Sequence, residues 1–178
     1  MRKNDSITVR PARPSDLKAL GCLGATLARA HHAWDPARFF IVDGMDEGYA
    51  WWLGKELKNR RAVVLAALRQ ERIVGYAYGR VEPRDWNALR DACGVGIDLF
   101  VEPQARGVGA GRRLCEALLQ ALRAKGAPRV VLHAAARNRE AQRYFRAQGF
   151  RPTMVEMTLE LGEPPPPRKR PRSKVVKR

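Results

Sequence analysis

The chain predicts a single α/β domain of the mixed, α+β kind, built on a central sheet that is partly antiparallel. Three observations carry this expectation. Strand-like runs rich in β-branched and aromatic residues alternate with amphipathic helical runs. Residues 62–81 read as two such runs joined at Gln70-Glu71, a hairpin. Gly94 to Val101 passes through a glycine loop into a helix and then into another strand, which implies one right-handed crossover. At 178 residues and 45% hydrophobic content, the chain suits one domain with a substantial core.

In chain order, Ile7-Thr-Val-Arg10 begins a strand, and Pro14-Ser-Asp16 opens a helix with Ser15 or Asp16 near its N-cap. Leu17, Leu20, Leu23 and Leu27 continue that helix at helical spacing. His31-His-Ala-Trp-Asp-Pro36 breaks the pattern, and a second helix is expected near Glu47 to Asn59. Trp34, Phe39, Phe40, Trp51 and Trp52 are expected in the core or a pocket wall. The hairpin strands are Ala62 to Arg69 and Arg72 to Val81, followed by a longer connection through Asp91. Gly94 to Val101 is the next strand, where Gly94 and Gly96 ease a bulge. Leu114, Cys115, Leu118, Leu119 and Leu122 form the apolar stripe of the helix after the glycine loop, which stops at Lys125-Gly126-Ala-Pro128. Arg129 to Ala136 and Thr153 to Leu161 complete the expected strands.

Composition narrows the classes. The longest apolar run, Ala62 to Leu68, is too short to span a bilayer, and Met-Arg-Lys-Asn-Asp-Ser leads into no apolar signal region, so a cytoplasmic protein without a membrane span is expected. Cys22, Cys93 and Cys115 contain no Cys-x-x-Cys pair and read as packing residues. The adjacent His31 and His32 cannot face one ion from a helix, so no metal site is expected. Net charge is +16. Residues 1–161 form the expected domain. Residues 162–178, with Pro164 to Pro167 and a run of Arg and Lys, lack periodicity and read as a disordered, proline-rich basic tail able to attract nucleic acid or another anionic surface weakly. Homodimer formation is left open.

The glycine loop carries the functional signal. In Asp98-Leu-Phe-Val-Glu-Pro-Gln-Ala-Arg-Gly-Val-Gly-Ala-Gly-Arg-Arg-Leu114, Gly107, Gly109 and Gly111 leave backbone N–H groups unshielded where a helix begins, and Arg106 and Arg112 add charge. That combination suits a phosphate. A P-loop would need Gly-Lys-Ser/Thr, whereas Gly111 is followed by Arg112-Arg113; a dinucleotide fold would need Gly-x-Gly-x-x-Gly and an acidic residue closing the next strand.

The remaining pattern, Gln104-Ala-Arg-Gly107-Val-Gly109, resembles the Gln/Arg-x-x-Gly-x-Gly/Ala loop of the GNAT N-acetyltransferases. A second segment, Asn138-Arg-Glu-Ala141-Gln-Arg-Tyr-Phe145-Arg-Ala-Gln-Gly149-Phe150, is similar to that family's Asn-x-x-Ala-x-x-x-Tyr-x-x-x-Gly-Phe helix. Together they cover about residues 94–152. The resemblance implies a mostly antiparallel mixed sheet with a splayed strand pair and flanking helices, and acetyl-coenzyme A as co-substrate. It implies that the backbone of Leu99, Phe100 and Val101 aligns the pantetheine. Gln104, Arg106, Gly107, Val108, Gly109, Ala110, Gly111 and Arg112 would hold the pyrophosphate, with Asn138 and Phe145 near the thioester end. The acceptor would be an amine on a small molecule or a protein.

The chain departs from the family where it matters chemically. Phe145 occupies the position of the usual tyrosine acid, and Tyr144 lies about 100° around the helix. A thiol of pKa about 8.5 can leave as thiolate without that acid. Ile97 stands where several members carry a carboxylate. His133, with an imidazole pKa of about 6.5, is the first candidate base, and Asp98 is the second if a bulge turns it inward. Glu82 and Asp85 could attract a cationic acceptor. The rival expectation is a non-catalytic acyl-coenzyme A-binding module that docks through its basic tail.

Overall fold

The computed structural model describes residues 6–162. The expected basic tail, from Glu163 onward, lies outside the described residues. Five strands form one sheet in the order β1 (Ile7–Pro11), β2 (Ala62–Arg69), β3 (Arg72–Glu82), β4 (Cys93–Val101) and β5 (Val130–Leu132). The first three ladders are antiparallel and β4–β5 is parallel, as a crossover through a helix requires.

The helices are α1 (Leu17–Trp34), α2 (Met45–Glu56), α3 (Ala110–Ala124) and α4 (Arg139–Ala147). One face of the sheet packs Tyr76, Tyr78 and Phe100 against Leu20, Leu23 and Leu53 of α1 and α2. The other packs Val74, Ala77 and Val101 against Leu114, Leu118 and Leu122 of α3. Alternation along β3 and β4 divides each strand between two cores, and a register shift in the β2–β3 ladder, which leaves Val74 opposite no partner, sets Val74 on the same face as Ala77. Gly24 allows the close α1–α2 contact, since a Cβ there would meet the Tyr49 ring at 2.6 and 2.8 Å.

Both helices of the motif region end in the same device. Gly126 and Gly149 have φ of +87° and +91°. The following residues, Ala127 and Phe150, donate N–H bonds back to Leu122 and Phe145 at 3.1 and 3.0 Å. These are Schellman ends, which commonly bring an apolar contact between the same two positions. Here the Phe145 and Phe150 rings lie edge to face, 5.7 Å apart. The Gly149-Phe150 pair thus closes α4 before it does anything else.

Several expectations change. Residues 31–34 continue α1 instead of breaking it. The strand expected at Arg129 to Ala136 shortens to Val130–Leu132. Thr153 to Leu161 pairs with no strand among the described residues, and Met154, Val155, Met157, Leu159 and Leu161 are all exposed. Its alternation is strand-like, yet β5 offers an edge too short to seat it. Phe40, in the segment before α2, is exposed, and so are Trp51 and Trp52, because α2 buries only Leu53 and Glu56. Cys93 and Cys115 pack in the interior as expected, whereas Cys22 is exposed.

Candidate acyl-transfer site

The sheet's one irregularity near the motifs lies between β3 and β4. Tyr78 pairs with Asp98 and Gly79 with Gly96, so Ile97 is an extra residue opposite no partner. This is a β-bulge, which turns a strand and re-aims its side chains. Gly79 makes the approach feasible: a Cβ there would stand 2.7 Å from the Val95 carbonyl oxygen. Beyond Gly96, β4 has no ladder partner on its β5 side among the described residues, so Ile97 to Val101 present a free backbone edge where the two strands part.

The bulge directs Asp98 toward the α1–α2 face. Its Oδ2 accepts a 2.9 Å hydrogen bond from the Tyr76 hydroxyl. Burial raises the Asp98 carboxyl above its ordinary value, opposed by the Tyr76 bond and by His31. Burial and the same carboxylate push Tyr49 up to about 12. Tyr76, fully enclosed, is raised well above its ordinary value by burial, by the Asp98 carboxylate and its hydrogen bond, and by Tyr49. A carboxyl, two phenols and an imidazole therefore share one electrostatic environment. His31 is packed edge-on by Trp34 and Phe39 at 5.0 and 4.9 Å, and its Nδ1 lies 2.9 Å from the Leu27 carbonyl. Sequence reasoning missed Tyr49, Tyr76 and His31 as neighbours of Asp98, since only the bulge brings them together.

His133 lies elsewhere. It follows the end of β5, is exposed, and helps hold the Glu156 carboxyl below its ordinary value, after Arg38, whose ion pair with Glu156 is the larger influence.

At the other end of the crossover, Val101 leads through a short 3-10 turn at Pro103–Ala105 into the glycine loop. Gly107 and Gly109 have φ of +78° and +87°, backbone that favours glycine. Gly109 is the N-cap of α3, with no capping side chain. The first helical bond runs from the Arg113 N–H to the Gly109 carbonyl at 3.0 Å, so the Ala110, Gly111 and Arg112 amides precede the helix's own acceptors. A Cβ at Gly107 or Gly109 would meet nothing within 4 Å. Donors, macrodipole and open space therefore fit a pyrophosphate at this loop. Arg106 donates from Nε to the Val101 carbonyl at 3.1 Å, with an Nη 3.8 Å from Glu140, while Arg112 pairs with Glu116 at 2.8 Å. Gln104 and Val108 are exposed beside them.

Helix α4 is fastened to this loop. Asn138 caps it, Oδ1 accepting from the Ala141 N–H at 3.0 Å. Tyr144 donates to the Gly111 carbonyl at 2.9 Å, a link the sequence did not reveal. Phe145 packs between Tyr144 and Phe150. Glu82 and Asp85 are already engaged, Glu82 with Arg80 and Arg90 and Asp85 with the amides of Asn87 and Ala88. They sit at the end of β3 and in the connection to β4, away from the glycine loop.

The sequence profile of the Acetyltransferase (GNAT) family matches residues 27–150. The chain belongs to that family. It is 31% identical over 133 residues to the mycothiol acetyltransferase of Thermomonospora curvata, a match covering 71% of this chain and 41% of that protein. The chain thus spans about two fifths of the length of the curated relative it matches. Among solved structures, the aminoglycoside N-acetyltransferase AAC(6')-Iy in complex with CoA has a TM-score of 0.73 at 16% identity, covering 90% of this chain and 97% of that one. A tetramutant protein of Bacillus halodurans has a TM-score of 0.73 at 21% identity, over 86% and 99%. A Clostridium acetobutylicum protein, described as a predicted acetyltransferase and solved with acetyl-CoA, has a TM-score of 0.67 at 16% identity, over 88% and 97%. At these identities the structural likeness concerns the fold. No helix among the described residues is long and apolar enough to cross a membrane.

Proposed function

We propose that the chain transfers the acetyl group of acetyl-coenzyme A to a primary amine by direct attack, with Asp98 as the proton acceptor. The observation that carries this reading is the bulge at Ile97, which sets a half-buried carboxyl beside the free β4 edge one crossover away from an open anion cradle. Acetyl-coenzyme A supplies the thioester. Amides at Gly107 to Arg112 bind its pyrophosphate, and the β4 backbone at Leu99 to Val101, along the edge that β5 leaves, orients its pantetheine arm and gives the carbonyl oxygen an N–H donor.

The amine nitrogen bonds to the carbonyl carbon as the carbon–sulfur bond breaks. The ammonium proton passes to Asp98, whose raised affinity for protons suits a general base, and the departing thiolate takes its proton from water. Phe145 supplies no acid, and its packing against Phe150 leaves it an α4 closing residue. His133, exposed beside Glu156, is the second base candidate. The aminoglycoside named for one solved neighbour supports a polar amine acceptor, and the mycothiol enzyme supports acetyl transfer in general.

The test is an amine panel with acetyl-coenzyme A, followed by pH profiles of kcat/KM for wild type, Asp98→Asn and His133→Ala. Loss of the ascending limb in Asp98→Asn with its retention in His133→Ala is the expected result. The reverse pattern transfers the role to His133. Absence of transfer to any amine, with coenzyme binding intact, would establish the non-catalytic binding module instead.

A further inference from the structure

At the end of the sheet remote from the glycine loop, the connection from β3 to β4 folds back as a tight hairpin. Asp85 and Arg90 exchange backbone bonds of 2.8 and 2.9 Å, and the Asp85 carboxylate takes the Asn87 and Ala88 amides at 2.9 and 3.0 Å. The tip is therefore held in one shape, with Trp86 75% exposed. Beneath it lies a cavity of about 530 Å³ lined by Arg61, Arg80, Glu82, Arg84, Trp86 and Arg90, among others. That size suits a small ligand.

Charge and hydrogen bonding specify the kind of ligand. Glu82 joins Arg80 and Arg90, and Asp91, just outside the lining, holds Arg84 at 3.0 Å. With Asp85 counted, three carboxylates face four guanidinium groups, so a positive excess remains. The Arg90 Nε is enclosed and has no acceptor, a donor on a charged group that folding leaves unmet. The Arg84 guanidinium lies 5.3 Å from the centre of the Trp86 ring. An exposed indole beside this excess of guanidinium charge offers a stacking face together with anion contacts.

We infer that this cavity is a second ligand site, which binds a nucleotide by stacking its base on Trp86 and seating its phosphate among Arg61, Arg84 and Arg90. It is separate from the acyl-transfer site. Cys93, where the hairpin connection joins β4, and Asp98 are five residues apart along the strand, roughly 16 Å at about 3.3 Å per residue. The same chemistry can arrive as a free mononucleotide or as one unit of a single-stranded nucleic acid.

The experiment uses the full chain with coenzyme A saturating its own cradle. Uridine 5′-monophosphate and a short oligouridylate are titrated separately, with binding read by calorimetry and by tryptophan fluorescence. Saturable binding is expected, weakened roughly tenfold by Trp86→Ala, which is about 1.4 kcal/mol and within the range for loss of one stacking platform. Arg61→Ala should weaken it independently. Both variants should keep the thermal shift given by acetyl-coenzyme A, which shows that they fold. Tighter, salt-dependent binding of the oligomer identifies a nucleic-acid strand as the source, and equal affinity for both probes identifies the free nucleotide. Binding that is absent, or that survives both substitutions unchanged, overturns the inference; oligomer binding of that unchanged kind belongs to the basic tail.

Discussion

Alanine substitution of two glycines on opposite sides of the bulge should change stability in opposite directions. At Gly79 a Cβ would stand 2.7 Å from the Val95 carbonyl oxygen, where ordinary contact begins at 3.4 Å. That oxygen belongs to a strand and cannot rotate away, so β4 must move by about 0.7 Å. Overpacking of this kind costs about 1–3 kcal/mol. Against it, replacing a strand glycine gains about 0.5–1 kcal/mol from reduced chain entropy. The clash wins, and Gly79→Ala should lose about 1–2 kcal/mol, or ~2–8 °C in Tm for a chain of this size. At Gly96 the nearest atoms would be 3.6 Å away on Leu132 and 3.9 Å away on Val131, both ordinary contacts. Gly96→Ala should therefore raise Tm by ~1–4 °C. Thermal melts followed by far-UV circular dichroism decide the matter, with acetyl transfer measured alongside. Because the displaced strand carries Asp98, Gly79→Ala should also lower kcat/KM. A Gly79→Ala protein as stable as wild type, or equal losses at both glycines, would refute the tight bulge.

Two further predictions concern titrating groups. Burial raises the Asp98 carboxyl, so the folded chain holds that proton more tightly than the unfolded chain and stability falls as pH rises through the raised range. Asp98→Asn should then be more stable than wild type at neutral pH, with the gap closing toward pH ~3 in urea titrations. Asp16 behaves in the opposite sense. Its hydrogen bonds from Arg10, at 2.7 and 3.0 Å, and from the Arg13 amide, at 2.7 Å, hold its carboxyl below the ordinary value. Its contribution is present above pH ~4 and is lost as pH falls through the lowered value. Asp16→Ala should cost about 2–3 kcal/mol at neutral pH, since it strands a charged partner, and the denaturant midpoint measures it.

Much of this architecture was legible because its signals are local. The positive φ values of Gln70 and Glu71, +49° and +62°, lie where the sequence placed the hairpin turn. The glycine loop and the α3 stripe likewise depend on spacing alone. The glycine pair Gly94 and Gly96 signals a bulge but not its position at Ile97, which depends on the fit of Gly79 against the Val95 carbonyl, two segments joined only by the ladder. For the same reason Asp98 ranked below His133 on the sequence. Strand alternation at 153–161 misled because a pattern records amphipathicity and not the presence of a neighbour. The tryptophans of α2 misled in a related way: hydrophobic type predicts burial only where another element arrives to cover it.

The order of strands across the sheet repeats their order along the chain. A chain emerging from the ribosome can therefore lay down β1, the helix pair, and then β2, β3 and β4 as successive additions to one growing edge. Two strands wait for helices before they find a neighbour, β2 for the α1–α2 pair and β5 for α3. The glycine loop and α4 come later, onto a template already four strands wide. Loop closure of this stepwise kind keeps the entropic cost of each addition small. Coenzyme present during synthesis would meet its cradle only after the supporting sheet exists, so early capture of acetyl-coenzyme A cannot assist the first stages of assembly.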